Sequence, residues 1–253
     1  MDLEICVDSV ESAIAAAKGG AERIELCSAL SEGGITPSAG LISAVRAAVS
    51  IDLFVMIRPR GGDFLYSNHE LEIMRKDILE AKLRGVNGIV LGILTKDLTV
   101  DRTRTRILIE LARPLQVTFH RAFDVCADMD RALEDVIACG ADRLLTSGGK
   151  ANALRGEKKI AHLHQKAGRR IRIMAGGGIR TSNVRALALR TGVSDVHTSL
   201  STKVKGVAFD GGVDLDSRQG GFTRYLVKEN DVRAFKSALL EIPVETKPAA
   251  PVQ

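Results

Sequence analysis

Short apolar runs recur eight times along this chain, and each is separated from the next by a stretch of helical period. The runs are Leu3–Val7, Arg23–Cys27, Leu53–Arg58, Gly88–Gly92, Gln116–His120, Arg143–Thr146, Ile171–Ala175 and Asp195–Ser199. Several are apolar at consecutive positions rather than alternating ones. A strand reads that way when both of its faces are covered, as in a parallel sheet flanked by helices. The helical stretches are Val10–Lys18, Ala39–Val49, His69–Arg84, Arg102–Ala112, Met129–Cys139, Glu157–Ala167, Ser182–Arg190 and Glu229–Leu240.

The junctions repeat as well. Helix ends run into Gly and then a strand at Gly19-Gly20-Ala21-Glu22-Arg23, Gly85-Val86-Asn87-Gly88, Gly140-Ala141-Asp142-Arg143 and Gly192-Val193-Ser194-Asp195. A glycine there takes the left-handed cap conformation that side chains disfavour. Helix starts are preceded by Asp8-Ser9, Ser67-Asn68, Asp128 and Thr181-Ser182, whose oxygens accept the unpaired first-turn N–H groups. Eight strands and eight helices in regular alternation predict a closed (β/α)8 TIM barrel as a single domain over residues 1–242. The rival is an open doubly wound sheet. Its dinucleotide fingerprint is missing, because the first strand is followed by Asp8-Ser9-Val10 rather than a glycine-rich turn. Residues 203–224, with five glycines, read as a long loop, and 243–253 as a disordered tail.

Composition narrows the setting. The sequence has 253 residues, 45% hydrophobic and 26% charged, ordinary for a globular protein. With 4% aromatics and no Trp, the core rests on Ala, Leu, Ile and Val. The formal charge is +5, but Lys and Arg are scattered apart from clusters at 102–106 and 169–172. No helix-turn-helix or RRM signature accompanies them, so a nucleic-acid partner is not expected. Leu3–Val7 is too short for a signal peptide, and no run approaches the ~18 apolar residues of a membrane span. Four cysteines in a chain this long do not make a disulfide scaffold, so free thiols in a cytoplasmic setting are expected.

Side chains two apart on a strand share a face. Glu4 pairs in this way with Cys6, and Glu25 with Cys27. A carboxylate pressed under an apolar helix is costly, so the acids favour the barrel axis and carry the thiols with them. Both strands then end at the C-terminal mouth, where barrels of this kind place their sites. Other strand ends add polar groups there: Arg58, Arg60 and Asp63 after the third, and His120, Arg121, Asp124 and Cys126 after the fifth. Arg58 can clamp an oxyanion and His120 can titrate near neutrality, although an internal ion-pair network would use the same residues. Asp124 fits a turn cap. Gly176, Gly177 and Gly178 after the seventh strand, with Ser199 after the eighth, stand where barrels bind anions through backbone N–H groups; tight turns are the plainer reading. His162 and His164 are expected on the surface, and His197 faces either the axis or the helices. Cys139, within a helix, is expected in the core.

The strings "LEIC" at 3–6, "GAERIELCSALSEGGITPS" at 20–38, "IRPRGGDFLYS" at 57–67, "VTFHRAFDVC" at 117–126, "LLTSGG" at 144–149, "IMAGGGIR" at 173–180 and "VHTS" at 196–199 resemble the CutC family of copper homeostasis proteins. They anchor nearly the whole chain apart from the tail. The resemblance implies a TIM barrel, a cytoplasmic homo-oligomer and a Cu(I) role. Thiolates are soft ligands that suit Cu(I), which makes Cys6 and Cys27 the candidate ligands, with Cys126 a possible third. The bland reading of each is a small buried hydrophobe. The alternative function is a lyase or isomerase acting on a small phosphorylated or carboxylated metabolite. In it Arg58 and the 176–178 glycines hold the anion, and Glu25 or His120 moves a proton. No strand-end lysine offers imine chemistry, since Lys150 falls in a loop.

Overall fold

The computed structural model describes residues 1–205 and 223–240. Strands β1 (Asp2–Val7), β2 (Arg23–Leu26), β3 (Asp52–Met56), β4 (Gly88–Leu91), β5 (Gln116–Phe119), β6 (Arg143–Thr146), β7 (Arg172–Gly176) and β8 (Asp195–Thr198) close in sequence order. Every neighbouring pair is parallel, and β8 returns to β1 with Glu4 opposite His197. This is the (β/α)8 barrel, and the open sheet is excluded. Helices α1 (Val10–Lys18), α2 (Ala39–Ala48), α3 (Asn68–Leu83), α4 (Arg102–Ala112), α5 (Met129–Cys139), α6 (Glu157–Ala167), α7 (Val184–Thr191) and α8 (Glu229–Leu240) form the outer ring.

One expectation changes. The stretch 203–224 does not start and end as loop. Strand β9 (Ser201–Lys205) pairs antiparallel with β10 (Thr223–Val227), and the Val227 N–H donates to Ser12 Oγ on α1 at 3.2 Å. Residues 206–222 and the tail expected at 243–253 lie outside the described residues.

The helix ends show why these segments stop where they do. Ser9 and Asp128 accept first-turn N–H groups, and Ser67 with Glu70 forms a reciprocal capping box. The Thr181-Ser182 expectation does not hold: α7 starts after Asn183, whose Oδ1 accepts from Arg180 N instead. The junction repeat has a second use. In "GAE", "GVN" and "GAD" the third residue reaches back and accepts the N–H of the second residue of the preceding strand. Glu22 takes Leu3 N at 2.9 Å, Asn87 takes Leu53 N at 3.0 Å, and Asp142 takes Val117 N at 2.7 Å. A strand-end donor that would otherwise be orphaned is thus satisfied from the next βα unit.

Two apolar regions result. The larger lies between strands and helices and is built from residues such as Leu3, Ile5, Ile24, Leu53, Val55, Ile89 and Phe119. The smaller lies on the axis: Cys6, Cys27, Phe54, Met56 and Val90. Bulk on one strand is matched by glycine on its neighbour. A Cβ on Gly88 would stand 2.3 Å from the Phe54 ring, and one on Gly92 would stand 2.5 Å from the His120 imidazole.

The base of the axis is ionic. Arg23 and Arg143 each stack on Phe54 with 5.2 Å to the ring centre. Arg23 pairs with Glu4 and, at 3.3 Å, with Asp195; Arg143 lies 3.6 Å and Arg172 2.9 Å from the same Asp195. Glu4 and Asp195 are wholly buried. Buried charges persist only when paired in this way.

Candidate functional site

Above this base, β1, β2 and β8 bring five reactive side chains together. His197 Nδ1–H donates to Glu4 Oε1 at 2.7 Å, and its Nε2 lies 3.8 Å from Glu25 Oε2. Cys27 Sγ lies 3.6 Å from Glu25 Oε2, and Cys6 Sγ lies 3.8 Å from Cys27 Sγ. All four cysteines are free thiols. The register that sets Glu4 opposite both Arg23 and His197 creates this arrangement.

The electrostatics divide the group. Burial alone would keep Glu4 protonated, but Arg23 and His197 hold its carboxyl down at about 2. Burial opposes a charge on His197 as well, yet Glu25, Cys6 and Glu4 drive its pKa well above the ordinary value, so it is an imidazolium at neutral pH. Glu25 is shifted upward by burial and by Glu4, against the pull of His197. The Cys6 thiol is pushed well up by its contact with Cys27, by burial and by Glu25. Cys27 rises to about 11: the contact with Cys6 favours its thiolate, but burial and Glu25 outweigh it.

A cavity of about 980 Å³ opens at the C-terminal mouth, with Cys6, Glu25, Met56, Arg58, His120 and His197 among its lining. Its wall divides into two regions. At one, His120 and Arg58 share the Phe64 ring, at 5.0 Å and 5.1 Å between centres. Arg58 donates to the carbonyls of Glu32, Gly34 and Gly62, bracing the loops after β2 and β3. Burial, and then the Arg58 charge, lowers the His120 pKa to about 3, so its ring is neutral. Its Nδ1 accepts from Ala122 N at 3.1 Å, which leaves the proton on Nε2. Three buried atoms of lining residues have no partner among the described residues: His120 Nε2, Glu25 Oε1 and Arg58 Nε. Buried polar groups are nearly always satisfied, by protein, by water or by a ligand.

At the other region Gly177 and Gly178, both at positive φ, line the cavity with Arg121, Arg180, Ser199 and Ser201. Arg121 lies against Gly177 and donates to Ser147 Oγ at 2.8 Å and to Asp124 at 2.8 Å. Asp124 does not cap the turn or helix after β5, where His120 and Asp128 hold the cap positions; it accepts from Thr146, Ser147 and Gly149 and so ties the β5 and β6 loops together. Gly176 lies outside the lining; a Cβ there would come within 2.5 Å of Leu145, so its smallness serves packing.

The candidates read from sequence therefore fall into three positions. Cys6, Glu25, Arg58, His120, Gly177, Gly178 and Ser199 share the cavity. Cys27 stands one layer behind Cys6, fully buried but in contact with it. Cys126 lies apart in the outer core, its thiol directed at Ala122 O at 3.8 Å, and burial and Asp124 push its pKa to about 12. Cys139 is in the core as expected, and His162 is an exposed partner of Asp130. Among the described residues, the ligand-bearing groups whose atoms lie within 4.8 Å of one another are Cys6–Glu25–Cys27 and Glu4–Glu25–His197. Sequence left His197 open, yet the signal was present: Val196 must face the helices, which turns His197 to the axis.

The fold and site define a single (β/α)8 barrel with a polar, thiol-bearing cup at the C-terminal end of its strands. No helix among the described residues is long and apolar enough to cross a membrane. The chain belongs to the CutC family, whose model matches residues 1–202. It is 47% identical over 231 residues to the Homo sapiens copper homeostasis protein cutC homolog, covering 91% of this chain and 85% of that one. It is 45% identical over 240 residues to a family protein CutC of Chromobacterium violaceum, covering 94% and 97%. The crystal structure of the copper homeostasis protein CutC from Streptococcus agalactiae superposes with a TM-score of 0.75 at 35% identity, covering 78% of this chain and 97% of that one.

Proposed function

We propose that the protein takes up Cu(I) as cargo through the thiolates of Cys6 and Cys27, in a cytoplasmic homo-oligomer of the copper homeostasis type. The observation that carries this reading is the 3.8 Å sulfur–sulfur separation with Cys6 on the cavity wall. Thiolates bond to d10 ions at about 2.3 Å, as with zinc, so two such bonds reach across ~4.6 Å and the two sulfurs are close enough to share one ion in a bent site. Both thiols sit above their ordinary pKa, so the ion displaces their protons as it enters, and affinity rises with pH. The test is a Cu(I) titration against a competing chelator. Near-stoichiometric uptake by the native protein should disappear in the Cys6→Ser, Cys27→Ser double variant. Unchanged affinity in that variant would refute the reading.

A second reading, a lyase or isomerase for a small phosphorylated or carboxylated molecule, is favoured by one observation. The three residues it needs, Glu25, Arg58 and His120, line one cavity, and each has a buried polar atom without a partner among the described residues.

A further inference from the structure

We propose that the cavity binds a small hydroxy-carbonyl compound carrying an oxyanion: its carbonyl oxygen accepts from His120 Nε2–H, its hydroxyl donates to Glu25 Oε1, and its anionic end lies between Gly177, Gly178 and the Arg121 and Arg180 side chains. The site rests on the lyase or isomerase reading, whose ligand class it names, and neither thiol takes part in it.

Three observations carry it. First, the His120 tautomer is fixed. The Ala122 N–H occupies Nδ1, so the ring presents a donor at Nε2, and that donor has no acceptor although the residue is 4% exposed. A buried N–H without an acceptor is costly, and a ligand oxygen removes the cost. Two features hold the ring in this pose: Phe64 packs beside it, and Gly92 leaves the space its edge occupies. Second, Glu25 offers the complementary half. Its Oε2 is engaged by Cys27 and faces His197, while its Oε1 has no partner among the described residues, and Glu25 lines the same cavity as His120. A donor and an acceptor left over in one cavity call for a ligand bearing both an acceptor and a donor, which adjacent carbonyl and hydroxyl groups supply. Third, the region at Gly177 and Gly178 carries positive charge. Gly177 at φ +96° and Gly178 at φ +70° are backbone positions where L side chains are strained. Arg121 is held over the first of them by Asp124 and Ser147, and Arg180 also lines the cavity. Fixed guanidinium groups beside exposed backbone favour phosphate or carboxylate.

The experiment uses the full chain and calorimetric titration with four probes. Dihydroxyacetone phosphate and hydroxypyruvate present both halves of the ligand, one with a phosphate and the other with a carboxylate. Inorganic phosphate and dihydroxyacetone present one half each. A bifunctional probe should bind at least about tenfold more tightly than either half, and the better of the two identifies the oxyanion. His120→Phe should remove that advantage and leave inorganic phosphate binding unchanged, whereas Gly177→Ala should weaken both. In the native protein, the probe should shift the 15N resonance of His120 Nε2 and leave Nδ1 in place, which tests the contact even where a variant folds poorly. No saturable binding of either bifunctional probe, or an unmoved Nε2 resonance on saturation, would overturn the site. Binding without turnover would leave the site standing and remove the lyase or isomerase reading. Retained binding in the Cys6→Ser, Cys27→Ser variant separates the site from the copper reading.

Discussion

Replacing Arg23 by Met probes the ionic base on which the mouth is built. Met keeps an unbranched apolar stem and removes the guanidinium, together with its stacking on Phe54 and its pairing with Glu4 and Asp195. Breaking a buried pair costs ~3–5 kcal/mol when a partner is left bare. Here neither acid is fully stranded: Glu4 keeps His197 at 2.7 Å, and Asp195 keeps Arg172 at 2.9 Å and Arg143 at 3.6 Å. The expected loss therefore falls at the low end, about 3 kcal/mol at neutral pH. Its pH dependence is specific. Glu4 titrates at about 2 in the native fold against 4.5 for the free side chain. The stabilisation from its charge is complete above about pH 4.5 and is lost as pH falls towards 2. The variant's Glu4, lacking its strongest counter-charge, takes up a proton at higher pH than the native one. Between that point and pH 2, each pH unit narrows the gap between the two proteins by about 1.4 kcal/mol. Equilibrium urea unfolding followed by circular dichroism, at pH ~7 and again at pH ~3, measures both quantities. A loss under about 1 kcal/mol at neutral pH, or a gap that does not narrow in acid, would refute the assignment of Arg23 as the charge that holds Glu4 ionised.

Two further outcomes follow from the mouth. Gly92→Ala puts a methyl 2.5 Å from the His120 ring, so the imidazole must leave Ala122 N; a loss of ~1–3 kcal/mol in denaturant unfolding is expected, and unchanged stability would show that the ring is not confined. The two histidines should titrate in opposite directions in a 15N-resolved experiment: His120 stays neutral down to about pH 3, whereas His197 stays protonated well above the ordinary imidazole range. Exchanged behaviour, or two ordinary midpoints, would overturn the electrostatic description of the site.

The barrel could be read from sequence because both of its periodicities are local. Consecutive apolar residues mark strands covered on two faces, and capping residues with following glycines bound the helices, so strands β1 to β8 fall within a residue or two of the expected ends. The inward turn of Glu4, Cys6, Glu25 and Cys27 was readable for the same reason, since alternation along a strand needs no partner. What escaped depends on register between distant strands. His197 meets Glu4 only because β8 closes onto β1, 193 residues away in sequence. The role of Arg58 as a brace depends on carbonyls from two loops, and the part played by Gly92 depends on a ring from the neighbouring strand. The pairing of β9 with β10 lacked the tight two-residue turn that marks a hairpin, because 17 residues, 206–222, separate the two strands.

The family match ends at residue 202, yet Arg224, Tyr225 and Leu226 on β10 form part of the cavity wall. That wall belongs to a ribbon added after the cylinder is already closed, tied to α1 where the Val227 N–H donates to Ser12 Oγ. Substitutions on it can reshape the entrance while the strands that carry the acids and thiols keep their register. The size of molecule admitted and the chemistry waiting inside are thus written in separate stretches of chain, free to change one without the other.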